Sequence, residues 1–284
     1  MNVDARMLLS MLPHLASMKA SQWKSPERLE ELQSERLRIL IRHASCNVPF
    51  YRKALRGKAV RSAEDLPSLP LTAKEDARGT DAFTSLAHAP AGLSELRTSG
   101  SSGTPLIVRY SSGELAFKLA LRYHFLLESG LRPGDIQAFV TYREYPWTML
   151  QRLGIFRCHC LSFLDREEKN LAAMRRIGAS SLISYPSCII PLAHRNLEEG
   201  GSLRLKTVFS SAEQLSGEAR ALISRSFSCS VRDRYGAIET GSIAWECEKG
   251  SMHVYDSVIA EVVDDDGRPL APGRGAPDSG RLPA

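Results

Sequence analysis

The sequence predicts an α/β protein in which a mostly parallel sheet is flanked by helices and preceded by a helical N-terminal segment. Apolar residues recur at helical spacing between residues 29 and 44. From about residue 106, short β-like runs alternate with helical segments, the pattern of βαβ units. With 284 residues, 43% hydrophobic and 24% charged, the chain can bury its core without disulfides or a metal ion.

The N-terminal segment, residues 1–92, is predicted to be helical and to pack on the main domain. Its clearest helix begins at Ser25-Pro26, where serine can cap the first turn and proline lacks only an N–H that has no partner there. The helix ends at Val48-Pro49, because proline forces the residue before it into extended geometry.

The α/β core is predicted over residues 93–268. It is followed by a tail, 269–284, that is rich in proline, glycine and arginine and is predicted to be disordered. Hydrophobic periodicity and the turn residues between segments define the expected elements of the core. We expect strands at 136–141, 181–184, 205–209, 231–235 and 251–263, and helices at 111–128, 169–177, 189–197 and 216–226.

Composition and charge exclude several classes of protein. Lysine and arginine number 37 and aspartate and glutamate 32, a net charge of +5. The basic excess lies within residues 1–60 and predicts a solvated helix face rather than a nucleic-acid interface. No apolar stretch has the length of a membrane helix, and no secretory signal is recognisable. Six scattered cysteines without a C-x-x-C pair indicate a reducing compartment, so we expect a cytoplasmic protein without nucleic-acid or membrane partners.

The strongest local signal is a loop rich in glycine and hydroxyl groups. Two glycines allow a tight turn that directs several backbone N–H groups toward one point, an arrangement that suits phosphate. The loop lacks the Gly-Lys-Ser/Thr ending of the Walker phosphate loop. Composition leaves a flexible linker and a phosphate loop as comparable interpretations, and the flanking apolar segments favour an ordered loop. The loop consists of Thr98, Ser99, Gly100, Ser101, Ser102, Gly103, Thr104 and Pro105.

A second segment, Asp233–Thr240, follows a predicted strand, where ligand sites of α/β proteins lie. Tyr235 offers a stacking face, Gly236 allows close approach of the backbone, and Glu239 supplies a carboxylate that suits Mg²⁺. Taken alone, this segment is better interpreted as an ordinary turn followed by a surface glutamate.

Together these segments resemble adenylate-forming enzymes, and more narrowly the phenylacetate–CoA ligase and capsule-biosynthesis adenylyltransferase-like branch of that superfamily. Ser210–Glu213, after a predicted strand, stands between the two segments in the order seen in that superfamily. Asn47–Arg52 is similar to the N-terminal signature of the branch, and the segment from Glu246 to Asp264 is similar to the hairpin that follows its last motif. The resemblance extends from about residue 30 to residue 273, nearly the whole chain.

The resemblance implies ATP- and Mg²⁺-dependent activation of a carboxylic acid to an acyl-adenylate, followed by transfer to coenzyme A or a carrier thiol. Thr98–Pro105 would bind the β- and γ-phosphates, with Thr98 and Glu239 as the catalytic residues and Glu239 holding Mg²⁺. Catalysis would rest on positioning and charge neutralisation. The adenine would be lined by Ser211, Ala212 and Glu213 and covered by Tyr235 and Gly236.

The sequence departs from the family at three places. Thr104 stands where many members have lysine, and Ile238 stands where the motif usually has serine or threonine. After Val263 we find neither the ribose-binding aspartate nor the small C-terminal domain with its lysine. We therefore expect a C-terminally truncated, frame-shifted or split member, whose small domain could be encoded separately. The alternative is a catalytically incomplete nucleotide- or acyl-binding fragment.

Some members of the branch bind zinc near the hairpin, and this makes Cys247 and His253 candidate ligands by resemblance. Two ligands do not make a structural zinc site, which needs four. Placement in the core or on the surface is therefore the favoured interpretation of both residues.

Overall fold

A computed structural model describes residues 5–97, 105–142, 147–264 and 266–270, apart from the side chain of Pro90. The chain forms two compact units. Among the described residues, the first unit contains 5–15 and those of 116–255, and the second contains those of 16–115 and of 256–270. The domain boundaries predicted near residues 93 and 269 stay a prediction.

The N-terminal part of the chain is helical, as its apolar periodicity predicts. The Ser25 hydroxyl caps the second helix by accepting a hydrogen bond of 3.4 Å from the backbone N–H of Arg28. Short 3₁₀ turns and an antiparallel strand pair follow the helices. The elements are α1 (Ala5–Ser21), α2 (Pro26–Asn47), α3 (Pro49–Ala54), α4 (Lys74–Ala77), the 3₁₀ turns Ala63–Ser68 and Pro90–Gly92, β1 (Ser94–Arg97) and β2 (Ile107–Tyr110).

A seven-stranded sheet forms the centre of the first unit. In spatial order it reads β4-β3-β5-β6-β7-β8-β9, with parallel pairing from β4 to β7 and antiparallel pairing beyond. The α/β class with a mostly parallel sheet is therefore confirmed. The strands are β3 (Gln137–Thr141), β4 (Cys158–Ser162), β5 (Ser181–Ser184), β6 (Thr207–Ser211), β7 (Ser230–Ala237), β8 (Gly241–Glu246) and β9 (Met252–Val254).

Helices alternate with these strands and bury the two faces of the sheet differently. The helices are α5 (Ser112–Glu128), α6 (Met149–Arg152), α7 (Glu167–Ile177), α8 (Pro186–Glu198) and α9 (Gly217–Phe227). On one face, α7, α8 and α9 bury the main apolar core around Leu182 and Val208. Phe209 points to the opposite face because side chains alternate along a strand, and its ring packs 4.7 Å from that of Phe125 on α5.

One expected element is much shorter than its sequence pattern suggests. The predicted strand at 251–263 is regular only over Met252–Val254, and a single bridge joins Val263 to Pro269. Its backbone finds partners outside the sheet, since the side-chain amide of Gln33 on α2 donates to the carbonyls of Asp256 and Val258. None of the described helices has the length and apolar character needed to cross a bilayer.

Candidate functional site

Three neighbouring parallel strands end at the same edge of the sheet. Ser184 of β5, Ser210 of β6 and Asp233 of β7 lie in register, and the next pair is Ser211 with Arg234. The segments that follow β6 and β7 are therefore side by side at the carboxyl edge, where parallel α/β sheets bind ligands. The structure thus brings together the starts of the segments 211–213 and 235–239.

The turn after β6 has an unusual backbone and a fixed carboxylate. Ala212 has a φ of +68°, in the left-handed region that non-glycine residues seldom adopt. The Glu213 carboxylate accepts two hydrogen bonds from Ser187, one of 2.9 Å from the backbone N–H and one of 2.8 Å from the hydroxyl. Ser187 lies in the first turn of α8, so Glu213 caps that helix and favourably faces the positive end of its dipole.

The end of β7 presents an aromatic face beside a backbone that cannot accommodate a side chain. Tyr235 is 45% exposed at this edge. A Cβ on Gly236 would collide with the carbonyl oxygen of Gly241, because a bulge in the β7–β8 pairing brings the two backbones together. The hairpin that carries Tyr235 therefore requires glycine at position 236.

The turn between β7 and β8 carries Glu239 and is tied to α5. Glu239 is half-buried between Ile238 and Thr240. The Lys118 ammonium donates a hydrogen bond of 3.1 Å to the Ile238 carbonyl, and its alkyl chain lies over Gly241. Lys118 thus anchors the backbone that presents the Glu239 carboxylate.

A partly buried charge network lies beneath this edge, on the side of α9. The Glu246 carboxylate accepts hydrogen bonds of 2.9 Å from the Arg220 guanidinium and 2.8 Å from the backbone N–H of Asp233. Arg220 also donates 2.7 Å to the Val231 carbonyl, so it joins α9 to β7. Burial raises the pKa of the Asp233 carboxyl; Glu246 raises it further, and Arg220 opposes both effects.

Two arginines on the α5 side of the sheet were not recognised as functional candidates from the sequence. The Arg234 guanidinium lies 5.6 Å from the centre of the Phe125 ring. Burial, together with the neighbouring Arg122 guanidinium, lowers the pKa of Arg234. The sequence does contain a signal for a basic face: Arg232 and Arg234 alternate around Asp233 in a predicted strand, and alternate residues of a strand share a face.

The remaining predicted site residues are those of the loop 98–104 and the pair Cys247 and His253. Thr98, Ser99, Gly100, Ser101, Ser102, Gly103 and Thr104 all lie outside the described residues. Cys247 follows β8, and the ring of His253 on β9 packs against Trp245 at 5.5 Å. Within the described residues, no group of three or more His, Cys, Asp or Glu side chains could hold a metal ion.

Solved structures of a 2-hydroxyisobutyryl-CoA ligase are similar to the chain in fold. The fold matches that of a 2-hydroxyisobutyryl-CoA ligase in complex with 2-HIB-AMP and CoA, with a TM-score of 0.74 at 19% identity over 89% of this chain and 59% of that chain. An open conformation of the same enzyme matches with a TM-score of 0.71 at 18% identity, over 86% of this chain and 63% of that chain. The chain therefore shares the fold of this ligase over most of its length.

The curated proteins to which the chain is similar in sequence are phenylacetate-coenzyme A ligases. A phenylacetate-coenzyme A ligase of Thermus thermophilus is 26% identical over 87% of this chain and 60% of its own length. The corresponding enzyme of Escherichia coli is 26% identical over 88% of this chain and 62% of its own length, and that of Aromatoleum evansii is 36% identical over 42% of this chain and 27% of its own. No family model matches the chain. The chain is a relative of the phenylacetate–CoA ligases, which confirms the resemblance inferred from its motifs, and it spans about 60% of the length of the relatives that it matches most fully.

Proposed function

We propose that the chain takes part in the ATP- and Mg²⁺-dependent activation of a carboxylic acid to an acyl-adenylate, followed by transfer of the acyl group to coenzyme A or a carrier thiol. The observation that carries this proposal is the similarity to phenylacetate–CoA ligases over 87% of the chain. It is supported by the placement of 211–213 and 235–239 at one carboxyl edge. We further propose that the protein acts in the cytoplasm.

The geometry of the edge suggests how its residues share the work. The adenine would stack on the exposed Tyr235 ring and lie along the backbone of Ser211 and Ala212, while the Gly236 backbone leaves room for its approach. The Glu213 carboxylate is already engaged by Ser187, so we assign it to shaping the adenine pocket rather than to binding the base. The loop residues 98–104 would donate hydrogen bonds to the phosphates.

Glu239 fits a Mg²⁺ site, since this ion commonly takes one or two carboxylates and completes its shell with phosphate oxygens and waters. When bound, the ion would neutralise charge on the phosphates. In the proposed step an oxygen of the substrate carboxylate attacks the α-phosphorus, the bond to the β-phosphate oxygen breaks, and pyrophosphate leaves. Lys118 would hold the Glu239 turn in place through the Ile238 carbonyl. Nothing in the described residues supports a zinc ion at Cys247 and His253.

Acid-dependent exchange of labelled pyrophosphate into ATP tests the activation step in the purified chain. We expect exchange with at least one member of a panel of carboxylic acids, and a loss of about 100-fold or more in Glu239→Gln, the usual size for a residue that stabilises transition-state charge. Glu248→Gln is the matched control, because Glu248 is exposed in the next hairpin turn. ATP binding without exchange would support the alternative of a nucleotide-binding fragment, for which adding the relatives' C-terminal domain in trans is the next test.

A further inference from the structure

Arginine pairing differs between the two faces of the sheet. Arg220 binds Glu246, Arg175 binds Glu199, and both pairs lie on the side of α7, α8 and α9. On the α5 side, Arg122, Arg232 and Arg234 form no ion pair with any carboxylate of the described residues. These three arginines therefore have no carboxylate as an ion-pair partner within the part of the chain that the structure describes.

The three arginines share one layer between α5 and the sheet. Arg232 and Arg234 alternate along β7, so both point to the face that carries Phe209, the register partner of Arg232. Arg122 lies one helical turn before Phe125, and i,i+3 residues share a helix face. The Arg234 guanidinium lies over the Phe125 ring, and Arg122 is close enough to lower the pKa of Arg234.

The hydrogen-bond partners of these arginines are neutral and few. Glu128, one helical turn after Phe125, acts electrostatically on Tyr255 but forms no ion pair with the three arginines. Arg122 donates 3.4 Å to the side-chain carbonyl of Gln137, and the buried Nε of Arg232 has no hydrogen-bond partner. The Tyr255 hydroxyl, which also acts electrostatically on Arg234, donates 3.3 Å to the Leu121 carbonyl. Like charges in a partly desolvated layer repel one another, and an oxyanion between guanidinium groups would offset both the repulsion and the lost hydration.

We propose that Arg122, Arg232 and Arg234 form an oxyanion subsite on the α5 side of the sheet, and that it receives a second anionic group of the acid substrate. The assignment of this subsite to the acid substrate rests on the proposed function. Arg234 directly precedes Tyr235 and lies in register with Ser211, so it is adjacent to both segments assigned to the nucleotide. With the reacting carboxylate of the acid near these segments, the rest of the acid would extend along β7 toward the three arginines. The substrate class is thus a dicarboxylic acid or another acid with a distal oxyanion, in contrast to the singly charged phenylacetate.

Thermal unfolding at constant ionic strength tests the subsite, with glutarate, butyrate and inorganic phosphate as probes. We expect glutarate to raise the unfolding temperature more than butyrate does. Arg234→Met keeps an apolar stem but removes the charge, so it should abolish the rise in unfolding temperature with glutarate. Without ligand, the unfolding temperature of this variant should be no lower than that of the unsubstituted chain. Arg175→Met, which removes a paired arginine from the other face, should keep the response. An equal glutarate response in all three proteins overturns the proposal.

Pyrophosphate exchange identifies the source of the oxyanion. With a distal acid group as the ligand, Arg234→Met should raise the KM for glutarate by roughly 30-fold or more, the range for removing one partner of a desolvated charge pair, and leave the KM for ATP unchanged. A phosphate response that depends on Arg234, with no change in any acid KM, would overturn the substrate assignment and make free phosphate the ligand. If no acid supports pyrophosphate exchange but an anion still raises the unfolding temperature through Arg234, the proposed function is refuted and the subsite is not. Arg232→Met repeats the test if Arg234→Met fails to fold.

Discussion

Replacing Arg220 by methionine isolates the charge network that supports β7. The change removes a guanidinium that donates one hydrogen bond of 2.9 Å to the Glu246 carboxylate and one of 2.7 Å to the Val231 carbonyl. The Glu246 side chain is only 10% exposed. Breaking a fully buried pair costs about 3–5 kcal/mol. The Arg220 side chain is 36% exposed, so water screens part of the interaction and we expect a loss of about 2 kcal/mol.

Denaturant unfolding followed by tryptophan fluorescence measures this loss. Adding Glu246→Gln to Arg220→Met should restore all but about 1 kcal/mol, since the amide oxygen at position 246 still accepts from the Asp233 backbone N–H and that position no longer carries an unpaired charge. The pKa of Asp233 is already raised in the folded chain, and it rises further without Arg220. A raised carboxyl pKa opposes folding once the group ionises, so the deficit of Arg220→Met should grow as the pH rises above the unfolded pKa. A loss below about 0.5 kcal/mol that does not vary with pH would refute this account of the network.

Three further predictions concern single sites. Gly236→Ala should lower the midpoint of thermal unfolding and reduce nucleotide binding, because the new methyl group collides with the Gly241 backbone; unchanged values for both would contradict the close approach. Glu213→Ala should cost about 1 kcal/mol in urea unfolding, since α8 loses the cap at Ser187, and Glu213→Gln should recover part of it; equal stability of all three proteins would exclude the cap. Burial raises the pKa of Cys229 to about 12, so at pH 8 mass spectrometry should find iodoacetamide on the exposed Cys46 well before Cys229, and the reverse order would contradict the burial.

The alternating core could be predicted because its elements are locally periodic. The strand at 181–184 has the predicted bounds, and the observed bounds of the neighbouring helices and strands differ from their predicted bounds by a few residues. The β8 strand was missed because Gly241–Glu246 shows no clear alternation and follows a turn set by backbone contacts at Gly236. The strand expected to reach residue 263 was too long because Gln33, more than 200 residues earlier, takes the carbonyls of Asp256 and Val258.

The candidate site could be predicted only in part, for a related reason. Motif residues such as Tyr235 are recognisable because they are close together in sequence and follow a strand. The partners of Glu246 come from α9 and β7, and Arg234 faces side chains of α5, so these groups converge only after folding. A sequence analysed segment by segment shows that an arginine lies in a strand, but it does not show whether a carboxylate pairs with that arginine.

The most direct test of the proposed chemistry follows the oxygen that joins acid to nucleotide. The purified chain is incubated with ATP, Mg²⁺ and a carboxylic acid labelled with ¹⁸O in its carboxyl group, and hydroxylamine releases the acyl group. Attack by the carboxylate on the α-phosphorus predicts AMP that carries one ¹⁸O atom, together with an unlabelled pyrophosphate. AMP without ¹⁸O would show that water, not the acid, attacks the nucleotide, and would contradict the account.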